Sequence, residues 1–385
     1  MSSTRKGSPD FLLLFMTLVL IAFGLLMVYS ASSLSASYNY EGDSLHYMKR
    51  QIAAVVLGLV AMVFCMNIHY TTLRKLTLPF FFIVLVMLVL VPFIGIEMKG
   101  ARSWFSLGPF NLQPAEFAKL SVILYLSALI TKKGERFYNF KNGLLPAIIV
   151  VGLNVFLIFL QPDFGTCMVL TLSAALVILV GGANLKHLFL LGIGAVFFAL
   201  LIIIYPILIG SSDHRLARIT SFLHPEKDPL FTGFHILQSL YAFGHGGFYG
   251  AGFGQSIQKL GFLPGPHNDF IFAIIGEELG FVGSTAFLLF YLLFILRGII
   301  IALRCPEIYG KLVGIGIIGL IGIQALVNLG GVTKSIPLTG VTLPLISYGG
   351  SSILVTIASM GILLGISREQ NRIDSNNEIK ENLTQ

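Results

Sequence analysis

Charged residues are scarce in this sequence. Only 11% of its 385 residues are charged and 55% are hydrophobic, with a mean hydropathy of +0.86. That composition excludes an ordinary water-soluble domain and is typical of a chain that crosses a membrane many times. Cysteine is also scarce, with three residues and no CxxC spacing, so neither a disulfide framework nor a zinc site is predicted.

Long apolar runs dominate the rest of the chain. A helix of about 17 to 25 apolar residues can cross roughly 30 Å of hydrocarbon. We therefore predict an all-α polytopic membrane protein with about ten transmembrane helices. The fifth run is short, and the eighth is too long for one simple crossing. The predicted spans lie near residues 11–31, 51–68, 78–97, 114–131, 145–160, 166–183, 188–210, 270–303, 311–332 and 349–366.

The 25 lysines and arginines are unequally divided between the two sides. Fifteen lie on one set of connections and nine on the other, with Lys119 inside a span. Positive charge favours the cytoplasmic side, so both termini are predicted to be cytoplasmic. Most of the net charge of +7 then lies at the cytoplasmic face, where it anchors the protein to the membrane. Nucleic acid is therefore not a predicted partner.

Three regions follow from this arrangement. Residues 1–10 form a cytoplasmic tail, 11–366 form the transmembrane domain, and the polar residues 367–385 are predicted to be a disordered cytoplasmic tail. A large extracytoplasmic loop, 211–269, connects the seventh and eighth spans. Most of the unusual polar sequence lies at the outer ends of the spans and in this loop, so we look for function there.

Glu116 and Lys119 lie three residues apart at the start of a span, where they share one helical face. A single charge in the membrane is costly, so such a pair faces a bundle interior or a wet cavity. One interpretation is an internal salt bridge that pins helices together. The other is that Lys119 and nearby Arg102 bind an anionic head group while Glu116 orients them.

Asp163 follows Pro162 at the outer end of the fifth span. It could simply cap the helix that resumes at Gly165 and Thr166. A carboxylate there could also hold a divalent cation against a pyrophosphate, since phosphate leaving groups need charge neutralisation. The sequence leaves both interpretations open.

The long loop holds further cations. Arg215 and Arg218 are spaced to present two guanidinium groups to a phosphate, although lysines and arginines beside a membrane commonly snorkel to the interface. The glycine-rich stretch 244–254 resembles a phosphate cradle but lacks the Gly-Lys-Ser or Gly-Lys-Thr that should follow, so a flexible turn is the favoured interpretation. Lys259 adds a cation shortly before Asp269.

Asp269 is the most informative acid, because it stands where the loop re-enters the membrane. An aspartate at the start of a helix can be an ordinary cap. It can also be a general base, with a pKa raised by an apolar setting that Phe262, Phe270 and Phe272 would provide. Glu277 and Glu278 lie two turns further in, where structural pairing is the favoured interpretation.

Four blocks of the sequence stand out by their polar residues, glycines and prolines. They are Gln113–Lys119, Gln161–Thr166, His267–Phe272 with Glu277–Gly280, and Pro337–Ser352, which contains Ser347 as a further candidate for substrate binding. In this order they resemble the SEDS family (shape, elongation, division and sporulation), over roughly residues 11–368. Together with the Met27–Ser32 opening, the last block is more similar to the FtsW and SpoVE division and sporulation branch than to the elongation branch.

The resemblance implies a peptidoglycan glycosyltransferase of the bacterial plasma membrane that polymerises lipid II. Its essential carboxylate falls on Asp269, which would deprotonate the acceptor hydroxyl in an inverting transfer that releases undecaprenyl pyrophosphate. The implied partners are a class B penicillin-binding protein and other division proteins, at the division septum. A divalent cation, Mg²⁺ or Mn²⁺, is expected at Asp163 or Asp269, and no organic cofactor is expected.

Four positions depart from the family pattern: His245, Gly265, Asn268 and Lys334. Gly265 matters most, because the family usually has Glu there and a second loop carboxylate is therefore absent. Two other functions remain open, a lipid II flippase and a non-catalytic division scaffold. A flippase needs charge at mid-depth, whereas Asp163 and Asp269 are predicted at the outer edge.

Overall fold

The computed structural model describes residues 7–98, 101–108, 110–190 and 233–384, with isolated positions at 192, 222 and 225, and only the backbone beyond residue 372. The described part is dominated by helices. They are α1 (Phe11–Asn39), α2 (His46–Asn67), α3 (Tyr70–Ile94), α4 (Pro114–Lys133), α5 (Leu145–Phe159), α6 (Phe164–Val180), α7 (Phe234–Gly246), α8 (Ile271–Arg304), α9 (Ile308–Val332) and α10 (Gly350–Thr384).

Eight helices within the described ranges are long and apolar enough to cross a membrane, and α6 is a shorter apolar helix. They coincide with nine of the predicted spans, because a helix satisfies every backbone group internally in an environment without water. The remaining predicted span, 188–210, lies almost entirely outside the described residues. The structure therefore supports a multi-pass, mainly helical membrane protein.

Three helices form the interior of the bundle. About 72% of the membrane-crossing window of α4, α9 and α10 is buried within the protein, against 28% for α2, α3 and α5. Side chains on the outer helices face lipid, so their many exposed large hydrophobic residues are expected in a membrane. The buried polar groups discussed below lie mainly on or against the three interior helices.

A small β-sheet departs from the all-α prediction. Strands β1 (Ile96–Met98), β2 (Ala101–Leu107) and β3 (Phe110–Leu112) pair in the order β1-β2-β3, with both pairings antiparallel. The sheet fills the connection between α3 and α4, and Ser351 at the start of α10 accepts a hydrogen bond from the amide of Gln113 just after β3. The strands were missed because they are short and flank long apolar runs, whose signal dominates the sequence.

Helix α8 is broken at Gly280, where φ is 66° and ψ is −167°. This backbone conformation favours glycine, which lacks the Cβ that would make it costly. The 34-residue helix consists of a short segment, Ile271–Leu279, followed by a long membrane-crossing segment. The break explains why the eighth apolar run exceeds one crossing.

Helix α10 continues beyond residue 366 to Thr384, through the residues for which composition predicts a disordered tail. The first turns of this extension are tied to the N-terminal tail. Arg368 donates to the carbonyl of Gly7, and Asn371 donates to the carbonyl of Ser8. Composition alone suggested disorder because these contacts join residues more than 350 positions apart.

Candidate functional site

Asp269 ends an irregular stretch and is half-buried immediately before α8. Phe270 occupies the cap position of that helix, so the capping alternative for Asp269 is not what the structure shows. The backbone of Asp269 is held from α9, where the buried amide of Asn328 donates to the carbonyls of Asp269 and Val341, each over 2.7 Å. A single side chain thus joins the Asp269 turn to the segment between α9 and α10.

That segment, residues 333–349, passes close to both predicted outer acids. A Cβ added at Gly340, which has a φ of +73°, would lie 4.0 Å from Oδ2 of Asp269. A Cβ added at Gly165, beside Asp163, would lie 2.5 Å from the carbonyl oxygen of Thr339. The 333–349 segment therefore packs against both helix starts, as expected if its glycines allow close backbone approach.

Asp163 is the N-cap of α6. Its Oδ1 accepts from the amide of Thr166 over 3.0 Å, and its Oδ2 accepts from the hydroxyl of Thr166 over 2.8 Å and from Gln113 Nε2 over 3.2 Å. The capping interpretation is therefore observed. It does not exclude a role toward a cation, because Oδ1 accepts only the amide of Thr166 and keeps a second lone pair, whereas Oδ2 already accepts two hydrogen bonds.

The residues around the two acids can be tested against a divalent cation. Within the described ranges, no group of three or more His, Cys, Asp or Glu side chains is placed to hold a metal ion. Mg²⁺ is commonly held by one or two carboxylates while substrate phosphates and water supply the other ligands. A single carboxylate at Asp163 or Asp269 fits that mode and does not fit a metal cage built from protein ligands alone.

Glu116 and Lys119 form a buried salt bridge, with Nζ 2.8 Å from Oε1. Lys119 also donates to Gln324 Oε1 on α9 over 2.7 Å, and Gln324 in turn donates to the carbonyl of Thr342 over 3.0 Å. The cavity beside them measures about 10 Å³, at the lower limit for one water molecule. The network ties α4 and α9 to the 333–349 segment, as the internal salt-bridge interpretation requires.

Lys259 is also buried and paired. Its Nζ donates to Oε1 of Glu278 over 2.7 Å and lies 3.1 Å from the hydroxyl of Ser30 on α1. Ser30 itself donates to both oxygens of Glu278, at 2.6 and 2.8 Å. This triad joins the loop before Asp269 to α1 and to the broken part of α8, so the structural interpretation of Glu278 matches the contacts.

Glu277 is fully buried on the same short segment of α8, before the break at Gly280, and accepts several hydrogen bonds from the loop. The amide of Ile257 donates to Oε1 over 2.8 Å, Ser256 donates to Oε2, and Nδ1 of His245 lies 2.9 Å from Oε1. A buried carboxylate is costly unless it is hydrogen-bonded in this way. Glu277 and Glu278 thus hold different residues of the loop that leads to Asp269, Glu277 through residues 245–257 and Glu278 through Lys259.

The glycine-rich stretch 244–254 supports the break in α8 and is neither a phosphate cradle nor a free turn. The amides of Ala251 and Gly252 donate to the carbonyls of Glu277 and Glu278, at 2.9 and 3.0 Å. Beyond the break, the amides of Phe281 and Val282 donate back to the carbonyls of Gly247 and Phe248. Glycine is needed here, since a Cβ at Gly250 would lie 2.2 Å from the Glu278 carbonyl oxygen.

The other predicted binding residues lie in different settings. Arg102 is on β2 and exposed, 3.5 Å from Glu97 across the hairpin. Ser347 is buried, and its hydroxyl accepts from the amide of Leu343 over 2.8 Å, which closes a turn of the 333–349 segment. Arg215 and Arg218 lie outside the described residues.

Ser347 is followed by Tyr348, whose amide donates to the carbonyl of His267 over 2.8 Å. The rings of Tyr348, Tyr47 and His267 form one cluster, with centroids 4.3 to 5.5 Å apart. Burial raises the pKa of Tyr348, so its phenol stays protonated at neutral pH. The cluster fixes the turn two residues before Asp269.

Among the four departures, His245 contacts Glu277 as described above, and Lys334 and Gly265 also have a structural context. Lys334 has a φ of +57°, a conformation that glycine adopts without cost and that strains a lysine backbone. A Cβ at Gly265 would lie 3.3 Å from Nδ2 of Asn268 and 4.0 Å from Oδ1 of Asp269. A side chain at position 265 would therefore begin beside Asp269, which is where the missing carboxylate would have started.

Sequence reasoning missed three buried polar residues that hold this region. Gln51 on α2 donates to the carbonyl of Ser347 and accepts from the amide of Gly349. Gln324 and Asn328 on α9 make the contacts described above. Gln324 and Asn328 lie inside one apolar run, and that pattern is itself a signal, because polar groups within membrane helices are rare unless they have a task. Gln51 directly follows Lys49 and Arg50, so it carries no such signal.

A family described as cell cycle protein, comprising FtsW, RodA and SpoVE, matches residues 11–372. The chain is 45% identical to stage V sporulation protein E of Bacillus subtilis (strain 168), covering 95% of this chain and 99% of that relative. It is 41% identical to a probable peptidoglycan glycosyltransferase FtsW of Trichlorobacter lovleyi, covering 94% of each chain.

Solved structures agree with these relatives. One is a chain of a peptidoglycan synthase complex that coordinates polymerization and crosslinking, with 31% identity and a TM-score of 0.78, covering 94% of this chain and 98% of that one. Another is the rod shape determining protein RodA of Thermus thermophilus, with 30% identity and a TM-score of 0.69, covering 94% and 97%. The resemblance found in the sequence is confirmed, and the chain belongs to the SEDS family together with FtsW, RodA and SpoVE.

Proposed function

We propose that this chain is a peptidoglycan glycosyltransferase that polymerises lipid II into β-1,4 glycan strands in cell division or sporulation. The relatives named as peptidoglycan glycosyltransferases align with it over nearly their whole length. The observation that carries the proposal within this chain is the setting of Asp269. Its backbone is fixed by Asn328, yet its side chain is half-buried and is not the cap of α8.

The reaction takes place at the outer face of the plasma membrane. The apolar runs predict about ten spans, and the positive-inside distribution of Lys and Arg favours cytoplasmic termini and an outer loop over 211–269. In that orientation Asp163, Asp269 and the 333–349 segment lie at the extracytoplasmic side. The interior pairs Glu116–Lys119 and Glu278–Lys259 then stabilise the bundle beneath the site.

Asp269 acts as the general base. It takes the proton from the 4-hydroxyl of the acceptor GlcNAc, whose oxygen attacks the anomeric carbon of the donor MurNAc. The bond to undecaprenyl pyrophosphate breaks, and one displacement converts an α-linked donor into a β-1,4 product. General base catalysis of this kind contributes roughly 10²- to 10⁴-fold to a rate.

The leaving diphosphate needs positive charge. Of the cations proposed to contact substrate, Arg102 is exposed and paired only loosely with Glu97 across the hairpin. Arg215 and Arg218 belong to the same proposed group, whereas Lys119 and Lys259 are each paired with a buried carboxylate and act by holding the bundle. A divalent cation, Mg²⁺ or Mn²⁺, would be held by Asp163 or Asp269 and would neutralise charge on the diphosphate when bound.

A transpeptidase is the proposed partner. A similar solved chain belongs to a complex that couples polymerization to crosslinking, so a class B penicillin-binding protein suits this chain, with other division proteins at the septum. Each new strand would then be crosslinked where it is made.

The proposal is tested with the chain purified together with its transpeptidase and supplied with lipid II and Mg²⁺. Wild type should give long glycan strands on a gel, Asp269→Asn should give none, and Asp43→Asn should behave as wild type. Asp43 is the matched control because it is an acid on the same proposed side, paired with Lys49 in an exposed loop. Lipid II transport into vesicles by the wild type without any glycan would establish the flippase instead, and full activity of Asp269→Asn would remove the proposed base.

A further inference from the structure

A basic pocket lies on the opposite side of the bundle from Asp269. It has a volume of about 710 Å³ and is lined by Leu129, Lys132, Lys133, Arg136 and Asn142. These residues come from the last turn of α4, the 3₁₀ turn Gly134–Tyr138 and the π-helical turn Phe140–Leu144. The volume is within the range of protein sites for small ligands.

The cations in this pocket have little countercharge. Within the described part of the chain, the side chains of Lys132 and Arg136 make no ion pair or hydrogen bond, and Lys133 contacts only the carbonyl of Asn142. Two other basic residues on the same proposed side are paired with acids. Arg297 pairs with Asp10 and Arg372 pairs with Glu369. The basic pocket therefore concentrates positive charge that the protein leaves uncompensated.

The surroundings add charge of the same sign. Lys141 is exposed on the π-helical turn, and Lys186 follows α6 close by, since the ring of His187 lies 5.2 Å from that of Phe140. Glu135 is the one acid within 133–144. Positive-inside anchoring explains cations on this side of the membrane, but it does not require three of them to line one cavity.

Apolar groups flank the charge. Tyr138 and Phe140 are exposed large aromatic side chains, at 59% and 38%, on the two turns that form the pocket wall, and Leu129 lines the pocket itself. Aromatic residues of this kind are typical of the membrane interface. A free phosphate would use only the cations, whereas a phospholipid would use both the cations and this apolar border.

We propose that the basic pocket binds the head group of an anionic phospholipid of the cytoplasmic leaflet. The lipid phosphate sits among Lys132, Lys133 and Arg136, and the acyl chains leave along Leu129 into the bilayer. Basic pockets between membrane helices on the cytoplasmic side are suited to such head groups. The inference rests on the proposed membrane orientation and is independent of the glycan chemistry.

Lipid binding to the purified full chain tests this directly. Short-chain phosphatidylglycerol, phosphatidylcholine and inorganic phosphate are each titrated against the detergent-solubilised protein and followed by native mass spectrometry. The test variant carries Lys132→Gln, Lys133→Gln and Arg136→Gln. The matched control carries Arg74→Gln, Lys75→Gln and Arg304→Gln, which removes the same charge from exposed positions on the same proposed side.

Wild type should bind phosphatidylglycerol and not phosphatidylcholine, and the test variant should bind it at least about tenfold more weakly, since each nearby cation contributes to attraction of an anionic lipid. The control and a charge-preserving Lys132→Arg variant should bind as wild type, and all variants should keep the wild-type melting temperature. The proposal would be overturned if the test variant bound phosphatidylglycerol as tightly as wild type, or if the control variant lost as much affinity as the test variant. Displacement of the lipid by inorganic phosphate at the same concentration would also overturn it. Strand synthesis by the wild type is measured in parallel, so failure of this inference is distinguishable from failure of the proposed function.

Discussion

Asp163 and Asp269 both lie at helix starts against the 333–349 segment, but different hydrogen bonds position their backbones. Asp163 directs its own carboxylate to the backbone and hydroxyl of Thr166 and to Gln113. Asp269 is held through its carbonyl by Asn328, and the loop before it is fastened by Glu277 and Glu278. The turn that carries Asp269 is thus positioned by side chains of other elements, which is the support that a general base needs to hold a productive geometry, and we propose Asp269 as the base.

The largest effect is expected for Asp269→Asn, which removes the base and preserves size. We expect strand synthesis to fall by roughly 10²- to 10⁴-fold, with an unchanged melting temperature because the carbonyl bond to Asn328 remains. Initial rates with lipid II measure the change. A rate within twofold of wild type would mean that the difference between the two acids has nothing to do with catalysis.

Disrupting the buried triad of Ser30, Lys259 and Glu278 should have the largest effect on stability. Lys259→Met leaves Glu278 buried without its cation, which costs about 3–5 kcal/mol in comparable buried pairs. We expect a marked fall in melting temperature in detergent, followed by loss of activity. The double variant Lys259→Met with Glu278→Met should recover most of the lost stability, because it removes both charges. If the single and double variants melt together, the pair does not stabilise the loop.

Much of this arrangement could be predicted from the sequence and part of it could not. Apolar runs predicted nine observed helices because length and hydropathy decide whether a helix can span a membrane. The pair Glu116–Lys119 was also predictable, since its spacing is local. The contacts of Lys259 with Ser30, and of Asn328 with Asp269, were not predictable, because they join residues 229 and 59 positions apart and no local pattern encodes them.

Asn328→Leu tests whether the position of Asp269 depends on a hydrogen bond from α9. Leucine is similar in size but cannot donate to the carbonyls of Asp269 and Val341, so we expect the turn to shift and kcat to fall by about 10- to 100-fold with KM little changed. Asn154→Leu is the matched control, since Asn154 is equally buried but donates to Val150 in its own helix. Equal losses in both variants would indicate a general packing defect rather than positioning of the base.

The smallest effect is expected at Asp163, and it decides between the two roles left open for this acid. Asparagine caps helices about as well as aspartate, so Asp163→Asn should keep the hydrogen bond from the Thr166 amide to Oδ1 and change the melting temperature little. If Asp163 also holds a divalent cation, the neutral side chain should raise the Mg²⁺ concentration needed for half-maximal strand synthesis several-fold, because Mg²⁺ prefers carboxylate oxygens. An unchanged Mg²⁺ requirement would leave Asp163 as a cap alone, and any cation would then have to be held by Asp269 and the diphosphate.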